Sequence, residues 1–546
     1  MGSAGGSGRI SRRRFLHGMA AGGAAVGAGA AGLGGLLGAG RAAAAAAVGA
    51  DTVVVAQATS VQTFDPQIVY DNTVAITRGI YEPPVGLDGS TPRIIPKLVT
   101  SWSASADIKQ WTLKLRPGVK FHDGSDFTGE AVKVTMERLI KINRGFAYAF
   151  KPIVTSIDVL DPLTVRITLN TPDASFMAKL ASTSGNLIVS PRAVRVHTNG
   201  GDLAQGYLKE HTVGTGPYML QSYDKGAQQV VLTQFPGYWG GWSGSHVKRI
   251  IFKIVPEAST QRLMLERGDA DIGTIVAPDL IDALAKQPGI TINESPTMRI
   301  FYIAMHCQRE PLKDVKIRQA ISYAFDYEGA KQAIFNGRLA PLNGPLPDND
   351  PAHLSPADKP YRFDMAKAKQ LLSESSKPNG GFTLSLSLFQ GDPTFRKAAE
   401  ILQGNLKDLN INVSIQELSS SVLLEKAGKP ETAPDLLPVR NYPDYADPSA
   451  MIVATFGKDA WGTIGWNFSF YANDKVEALL KQANEITNQP RRLQIFRDAQ
   501  RIIVQEAAAV FVGTLINRFP LRSDVHGFVY NPLLGNTFDL YKIYKS

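Results

Sequence analysis

The residue types that could do chemistry are present but scattered. Outside the first fifty positions the histidines are His122, His197, His211, His246, His306, His353 and His526, and no two lie within four residues of each other. A metal site read from sequence needs His or Cys ligands at short, regular spacings, and none occurs. The single cysteine, Cys307, rules out an intrachain disulfide and a Cys-rich structural zinc site. It adjoins His306, but neighbours on a strand point to opposite faces, so the two make a poor nucleophile and base. Asp269 and Asp271 flank Ala270. Such a pair could share acid–base work, although a solvated turn after a helix is the plainer expectation. There is no serine-nucleophile elbow, no phosphate-loop motif and no His-Glu-x-x-His pair. Gly214-Thr215-Gly216-Pro217-Tyr218 opens like a dinucleotide loop, but it lacks the third glycine, and Pro217 would interrupt the helix start. It reads as a turn. The expectation is no catalytic residue, no metal and no cofactor.

The elements that would position a site belong to a large chain. With 546 residues, 44% hydrophobic and 20% charged, it is globular and long enough for two or three domains. The formal charge of +9 includes Arg9, Arg12, Arg13, Arg14 and Arg41; without them 53 basic residues face 49 acidic ones, a balance of +4. No basic run interleaved with aromatics follows, so no nucleic-acid partner is expected. Arg12-Arg13-Arg14-Phe15-Leu16 precedes a Gly/Ala-rich stretch from Ala20 to Leu37, then Ala42 to Ala47. This reads as an export signal of the twin-arginine type over residues 1–50, cut between Ala43 and Ala50. No cysteine follows it, so no lipid anchor is expected, and the mature form is placed in the periplasm as a monomer. A membrane anchor is the competing reading of the same stretch.

Hydrophobic periodicity then alternates between strand and helix. Asp51–Ala56 reads as a buried strand followed by a loop from Gln57 to Pro66. Trp111–Arg116 and Val119–His122, joined by Pro117-Gly118, read as a hairpin. Thr128 is placed as the cap of a helix to about Ile142. Val159–Leu169, Gln229–Gln234 and Ile250–Val255 read as strands. Asp314 and Asp364 are placed as helix caps. A strand at Phe382–Leu388, a helix at Phe395–Leu409, a strand at Ile411–Ile415 and helices at Val476–Ile486 and Arg491–Gln505 complete an α/β pattern with mixed sheets.

Several segments together are more specific than any single motif. They are Trp102-Ser103, Trp111–Gly124 with Phe127–Val132, Val213–Tyr218, Tyr238-Trp239, Gly268–Ile272, Pro311–Asp326, Phe363-Asp364 with Ala366–Leu372, and Tyr442–Pro448. In this order the chain resembles, over about residues 51–546, the family-5 extracellular solute-binding proteins of ABC importers, which include dipeptide- and oligopeptide-binding proteins. It departs from the family at Ala131, where Asp is usual and would reciprocate the Thr128 cap, and at His306, near which Asn is usual. Most motif residues are expected to maintain the fold. Arg318 is expected to pair locally at its helix surface.

The resemblance implies a two-lobed α/β periplasmic binding protein of the class II type, hinge-linked around a central ligand cleft. Lobe I would take residues 51–303 and 513–546, with a subdomain at about 90–215, and lobe II 304–512. Its implied role is capture of a small peptide or peptide-like solute for the membrane subunits of an ABC permease, without catalysis. A peptide's ammonium needs a buried carboxylate. Relatives supply it from a short loop of the second lobe, and the match through Asp447-Pro448 puts Asp444 there. Asn441, Arg440, Tyr442 and Tyr445 are the accompanying candidates. Thr59, Ser60, Val61 and Gln62 are candidates for backbone contacts, and Trp461, Trp466 and Asn467 complete the set, with Asp447 expected to be a turn residue. The same fold could instead take an oligosaccharide, an opine-like compound or a metal chelate. A secreted cofactor-dependent enzyme is a third reading, which the missing motifs disfavour.

Overall fold

Thr52–Gln57 is Thr-Val-Val-Val-Ala-Gln and is buried from Val53 onward. Such a run has no wet face, so it must lie inside a sheet covered on both sides. In a computed structural model, which describes residues 49, 51–69, 74–275, 277–463, 465–534 and 538–546, it does. The strand pairs in parallel with Arg249–Ile254 on one side and Ile272–Gly273 on the other. The export-signal reading lies outside the described residues.

That strand belongs to a sheet of 11 strands. One end holds Thr52–Gln57, Arg249–Ile254, Gln229–Gln234 and Tyr218–Asp224; the other holds Leu436–Asn441, Phe382–Phe389 and Ile411–Leu418. The two ends are joined by two long antiparallel strands, Ile290–Met305 and Ala509–Arg522. One core gathers Val53, Val55, Phe252, Ile272 and Leu521; another gathers Ile300–Met305 with Ala509–Val512 and the helices of residues 315–504. The strand Ala509–Arg522 therefore enters both cores, and Ile290–Met305 pairs with it along its length. The protein is two-lobed, and these strands run from one lobe to the other.

A third core lies under a four-stranded antiparallel sheet in the order Val99–Ala104, Gln110–Leu115, Thr164–Leu169, Val154–Asp161. Trp111, Leu113 and Leu115 alternate inward, as a half-buried strand requires. The expected partner of this strand is corrected: residues 119–122 make only an isolated bridge, Lys120 to Asp126, and no hairpin forms there. The single strand read over 159–169 is two strands, because Pro162 follows Asp161 at a turn. The helix Gly129–Ile142 begins after Thr128 as expected, but the Thr128 side chain makes no capping bond. Asp314 and Asp364 do cap, accepting from the amides of Lys316 at 2.8 Å and Lys367 at 2.9 Å.

The motif residues behind the family resemblance meet in the interior. Glu82 is fully buried and accepts from Thr215 Oγ1 (2.9 Å), Tyr238 OH (3.1 Å) and Trp239 Nε1 (2.8 Å), with Lys97 Nζ at 3.5 Å. Gly214 and Gly216 let that segment lie against the backbone of residues 79–80, where Gly216 N donates to Ile80 O at 2.9 Å. A Cβ at Gly214 would stand 2.1 Å from Ile80 O. Gly214→Ala is therefore expected to cost about 3 kcal/mol, since a backbone atom cannot turn aside. Thermal denaturation checks this; a variant as stable as the parent would mean the strand shifts freely.

Two local readings are corrected. Arg318 is buried, not a surface partner: its guanidinium donates to Leu312 O (2.7 Å), Lys313 O (3.0 Å) and Glu506 O (2.7 Å), covering carbonyls where the helix Gln489–Gln505 ends. Asp271 is no solvated turn residue. It is buried and accepts from Val54 N at 2.7 Å and Lys545 Nζ at 2.9 Å, stapling the first strand to the C-terminal segment.

Candidate functional site

The groups that could have been catalytic are occupied with structure. Cys307 Sγ donates to Met305 O at 3.2 Å, and burial pushes its thiol up to about 11, so it stays protonated. His306 Nε2 lies 2.9 Å from Pro430 O with its ring against Phe470. His122 Nε2 lies 2.9 Å from Gly216 O, and burial lowers it to about 4, so it is neutral at pH 7. Among the described residues no group of three His, Cys, Asp or Glu is placed to hold a metal. No helix among them is long and apolar enough to cross a membrane.

A cavity of ≈ 1530 Å³ lies between the segments that the long strands join. Its walls come from Gln57 and Ala58 at the end of the first strand, from residues 143–145 and Tyr148, from Arg299, from residues 389–395, from residues 439–442 with Asp444, from Trp466, and from residues 515–519. Many of these are strand ends and the turns leaving them, where α/β proteins commonly bind ligands. The volume is sufficient for a short peptide with water.

The strand Leu436–Asn441 delivers the loop that carries most of the candidates. Arg440, Asn441, Tyr442 and Asp444 all reach the cavity wall. Asn441 is held at both ends of its amide, with Nδ2 donating to Thr455 Oγ1 at 2.8 Å and Oδ1 accepting from Tyr442 N at 2.9 Å. Asp444 is half-buried; its carboxylate accepts from the Tyr148 phenol, and its carbonyl accepts from Ser182 Oγ at 2.8 Å. Both donors come from the module built on the four-stranded sheet. Asp447 is a turn residue, accepting from Ser449 N at 3.0 Å, and it is also more than that. Its carboxylate grips the guanidinium of fully buried Arg492, with Nη2 at 2.8 Å from Oδ1. That pair fastens the loop to the helix Gln489–Gln505 and fixes where Asp444 can stand.

The remaining candidates are placed differently. Trp466 lines the cavity; Asn467 does not. Asn467 is fully buried, with Nδ2 donating to Gly457 O and Tyr471 O at 3.0 and 2.9 Å. Trp461 Nε1 also donates to Tyr471 O, at 2.9 Å. Tyr445 lies outside the cavity wall, with Lys179 Nζ 5.5 Å from its ring centre and Phe146 beside it. Thr59, Ser60, Val61 and Gln62 are outside the wall too; Gln57 Nε2 holds Thr59 O at 2.9 Å, and Tyr223 OH holds Val61 O at 3.1 Å.

Several wall residues carried no sequence motif. Asp392 caps the helix Pro393–Leu406 through the amides of Thr394 and Phe395, at 3.0 and 3.3 Å. It also binds Arg440 twice, at 2.8 and 2.9 Å. An Asp-Pro pair between a read strand and a read helix was the available signal for this turn. Arg338 and Arg518 share Asp282 and Glu294, with contacts from 2.7 to 3.3 Å. Among the described residues Arg299 has no such partner. Its guanidinium carbon lies 5.3 Å from the centre of the Tyr442 ring, and burial lowers its pKa below the usual arginine value.

Comparison with known proteins agrees with this geometry. The model of the bacterial extracellular solute-binding proteins, family 5 Middle, matches residues 93–463. The chain is 34% identical over 498 residues to the probable D,D-dipeptide-binding periplasmic protein DdpA of Escherichia coli (strain K12), covering 90% of this chain and 93% of the relative. Among solved structures, HbpA2 from Haemophilus parasuis is similar with a TM-score of 0.81 at 26% identity, covering 91% of this chain and 100% of the other. DppA from Helicobacter pylori, in complex with the peptide STSA, is similar with a TM-score of 0.72 at 26% identity, covering 90% and 98%. The chain belongs to the bacterial extracellular solute-binding proteins of family 5.

Proposed function

We propose that this protein captures short peptides between its lobes and hands them to the membrane subunits of an ABC importer. Proteins of this family are transport binding proteins, not enzymes, and its homologues work in the periplasm. The observation that carries the peptide reading is Asp444, a carboxylate in the wall of a cleft, on a loop locked by a buried ion pair. A fixed, partly desolvated carboxylate suits a ligand ammonium. The two similar proteins named for a dipeptide and for a bound tetrapeptide support the same ligand class. Arg440, Asn441, Tyr442 and Trp466 would line the peptide's path, with backbone contacts near Gln57.

The lobe boundaries proposed are residues 51–303 with 513–546 against 304–512, with a subdomain at about 90–215. Residues 1–50 would serve as a twin-arginine export signal, cut between Ala43 and Ala50, leaving a periplasmic monomer without a lipid-anchor cysteine. The test is thermal denaturation of the mature chain with pooled D,D- and L,L-dipeptides, tri- to pentapeptides, oligosaccharides and metal chelates. A ligand bound only by the folded state raises the midpoint. Peptide pools are expected to raise it by several degrees; a rise with a sugar or chelate and none with any peptide would replace the peptide reading.

A further inference from the structure

The strand Ile290–Met305 breaks register with Ala509–Arg522 between Pro296 and Ile300. On one side Pro296 faces Ile516, and on the other Ile300 faces Thr514, so the Ile290–Met305 strand carries extra residues there. Such a bulge re-aims a side chain away from the regular alternation. Thr297 holds this one, with Oγ1 donating to Leu515 O at 2.7 Å and accepting from Arg299 N at 2.9 Å. The bulge presents the Arg299 side chain to the cavity wall.

Among the described residues the Arg299 guanidinium makes no hydrogen bond or ion pair. Its charged and titratable neighbours are Tyr442, Tyr530 and Arg440. Burial pushes the Tyr530 phenol up to about 12, so it brings no negative charge at neutral pH, and Arg440 is already bound to Asp392. A half-buried guanidinium without a counter-charge is costly to maintain. Every other arginine of the wall is paired with carboxylates, except exposed Arg144. Among the described residues of the wall, Asp392 is taken up by Arg440 and Asp444 accepts from the Tyr148 phenol, while the Arg299 guanidinium has no carboxylate.

We infer that Arg299 is a carboxylate-binding residue of the cleft, taking the anionic end of a ligand whose ammonium goes to Asp444, so that zwitterionic or acidic peptides are accepted and net-cationic ones rejected. This rests on the receptor reading above, but it makes a separate demand on the ligand's charge. Peptide amides, which keep the ammonium and lose the carboxylate, isolate it.

The experiment titrates the wild-type protein and Arg299→Gln with alanyl-alanine (D,D and L,L), glutathione, their C-terminal amides, and non-peptide mono- and dicarboxylates. The wild type is expected to prefer the free acid by about tenfold to a hundredfold, the range for a lost bond to a charged group, and Arg299→Gln to abolish the preference. The ligand-free variant is also expected to melt at a higher temperature than the wild type, because an uncompensated charge has been removed. Equal binding of acid and amide by the wild type overturns the role of Arg299 and leaves the peptide reading standing. Binding of non-peptide carboxylates alone, weakened in the variant, overturns the peptide reading and keeps the role of Arg299. No carboxylate-dependent binding by any probe, or a variant that melts lower and binds normally, overturns the inference.

Discussion

Asp447→Ala is expected to destabilise the protein by about 3–5 kcal/mol, the cost of leaving a buried charge without its partner. Arg492 is fully buried, and its Nε donates to a neutral carbonyl, Ala483 O, at 2.8 Å. Without Asp447 the guanidinium loses the carboxylate it bonds directly; Asp173 acts on it only at longer range, and full burial keeps water away. The same substitution frees the Tyr442–Asp447 loop from the helix Gln489–Gln505, so ligand binding should fall along with stability. Denaturation by urea measures the first effect. The double variant Asp447→Leu with Arg492→Met separates lost attraction from stranded charge. It should recover most of the stability, since apolar groups of similar size often replace a buried pair at little cost. A single variant within about 1 kcal/mol of the wild type would show that water reaches Arg492.

Asp444→Asn is expected to leave stability nearly unchanged and to weaken peptide binding by about 2–4 kcal/mol, roughly 30- to 1,000-fold. Asn keeps the shape of the side chain and an oxygen that can accept from the Tyr148 phenol, so the contact with that segment survives. What disappears is the negative charge opposite a ligand ammonium. N-acetylated peptides supply the control: acetylation should weaken binding to the wild type strongly and to Asp444→Asn very little. If acetylated and free peptides lose affinity equally in the variant, the ammonium is held elsewhere in the cleft.

The two substitutions sit three residues apart and act through different physics, a contrast the sequence could not supply. Both residues lie in Tyr-Pro-Asp-Tyr-Ala-Asp-Pro, and each is an Asp near a proline, a common turn environment. Only the approach of Arg492, 45 positions away, distinguishes the structural carboxylate from the one at the cleft.

What the sequence determined by itself was local and periodic. The continuous Val53-Val54-Val55 run dictated a strand buried on both faces. The alternation at Trp111, Leu113 and Leu115 dictated a half-buried one, and Asp314 and Asp364 dictated where two helices begin. The ordered family motifs, together with the lack of any catalytic spacing, were enough to point to a binding protein. At the cavity wall, the 440–444 stretch stood out because a short motif ended in Asp-Pro, whereas Trp466 was named only as an aromatic residue.

What only the tertiary structure decided depends on residues far apart in the chain. Whether residues 119–122 pair back on Gln110–Leu115 was settled by Thr164–Leu169, which takes that edge instead. Asp271 looks like a turn residue until Val54 and Lys545 close on it. Arg299 has no motif at all: its place in the cleft comes from a bulge measured against a strand more than 200 residues later, and its lack of a counter-charge among the described residues depends on the side chains packed around it. Periodicity reports which face of an element is apolar. It carries no information about which charges end up compensated, because Coulombic pairing depends on distances that only the assembled fold sets.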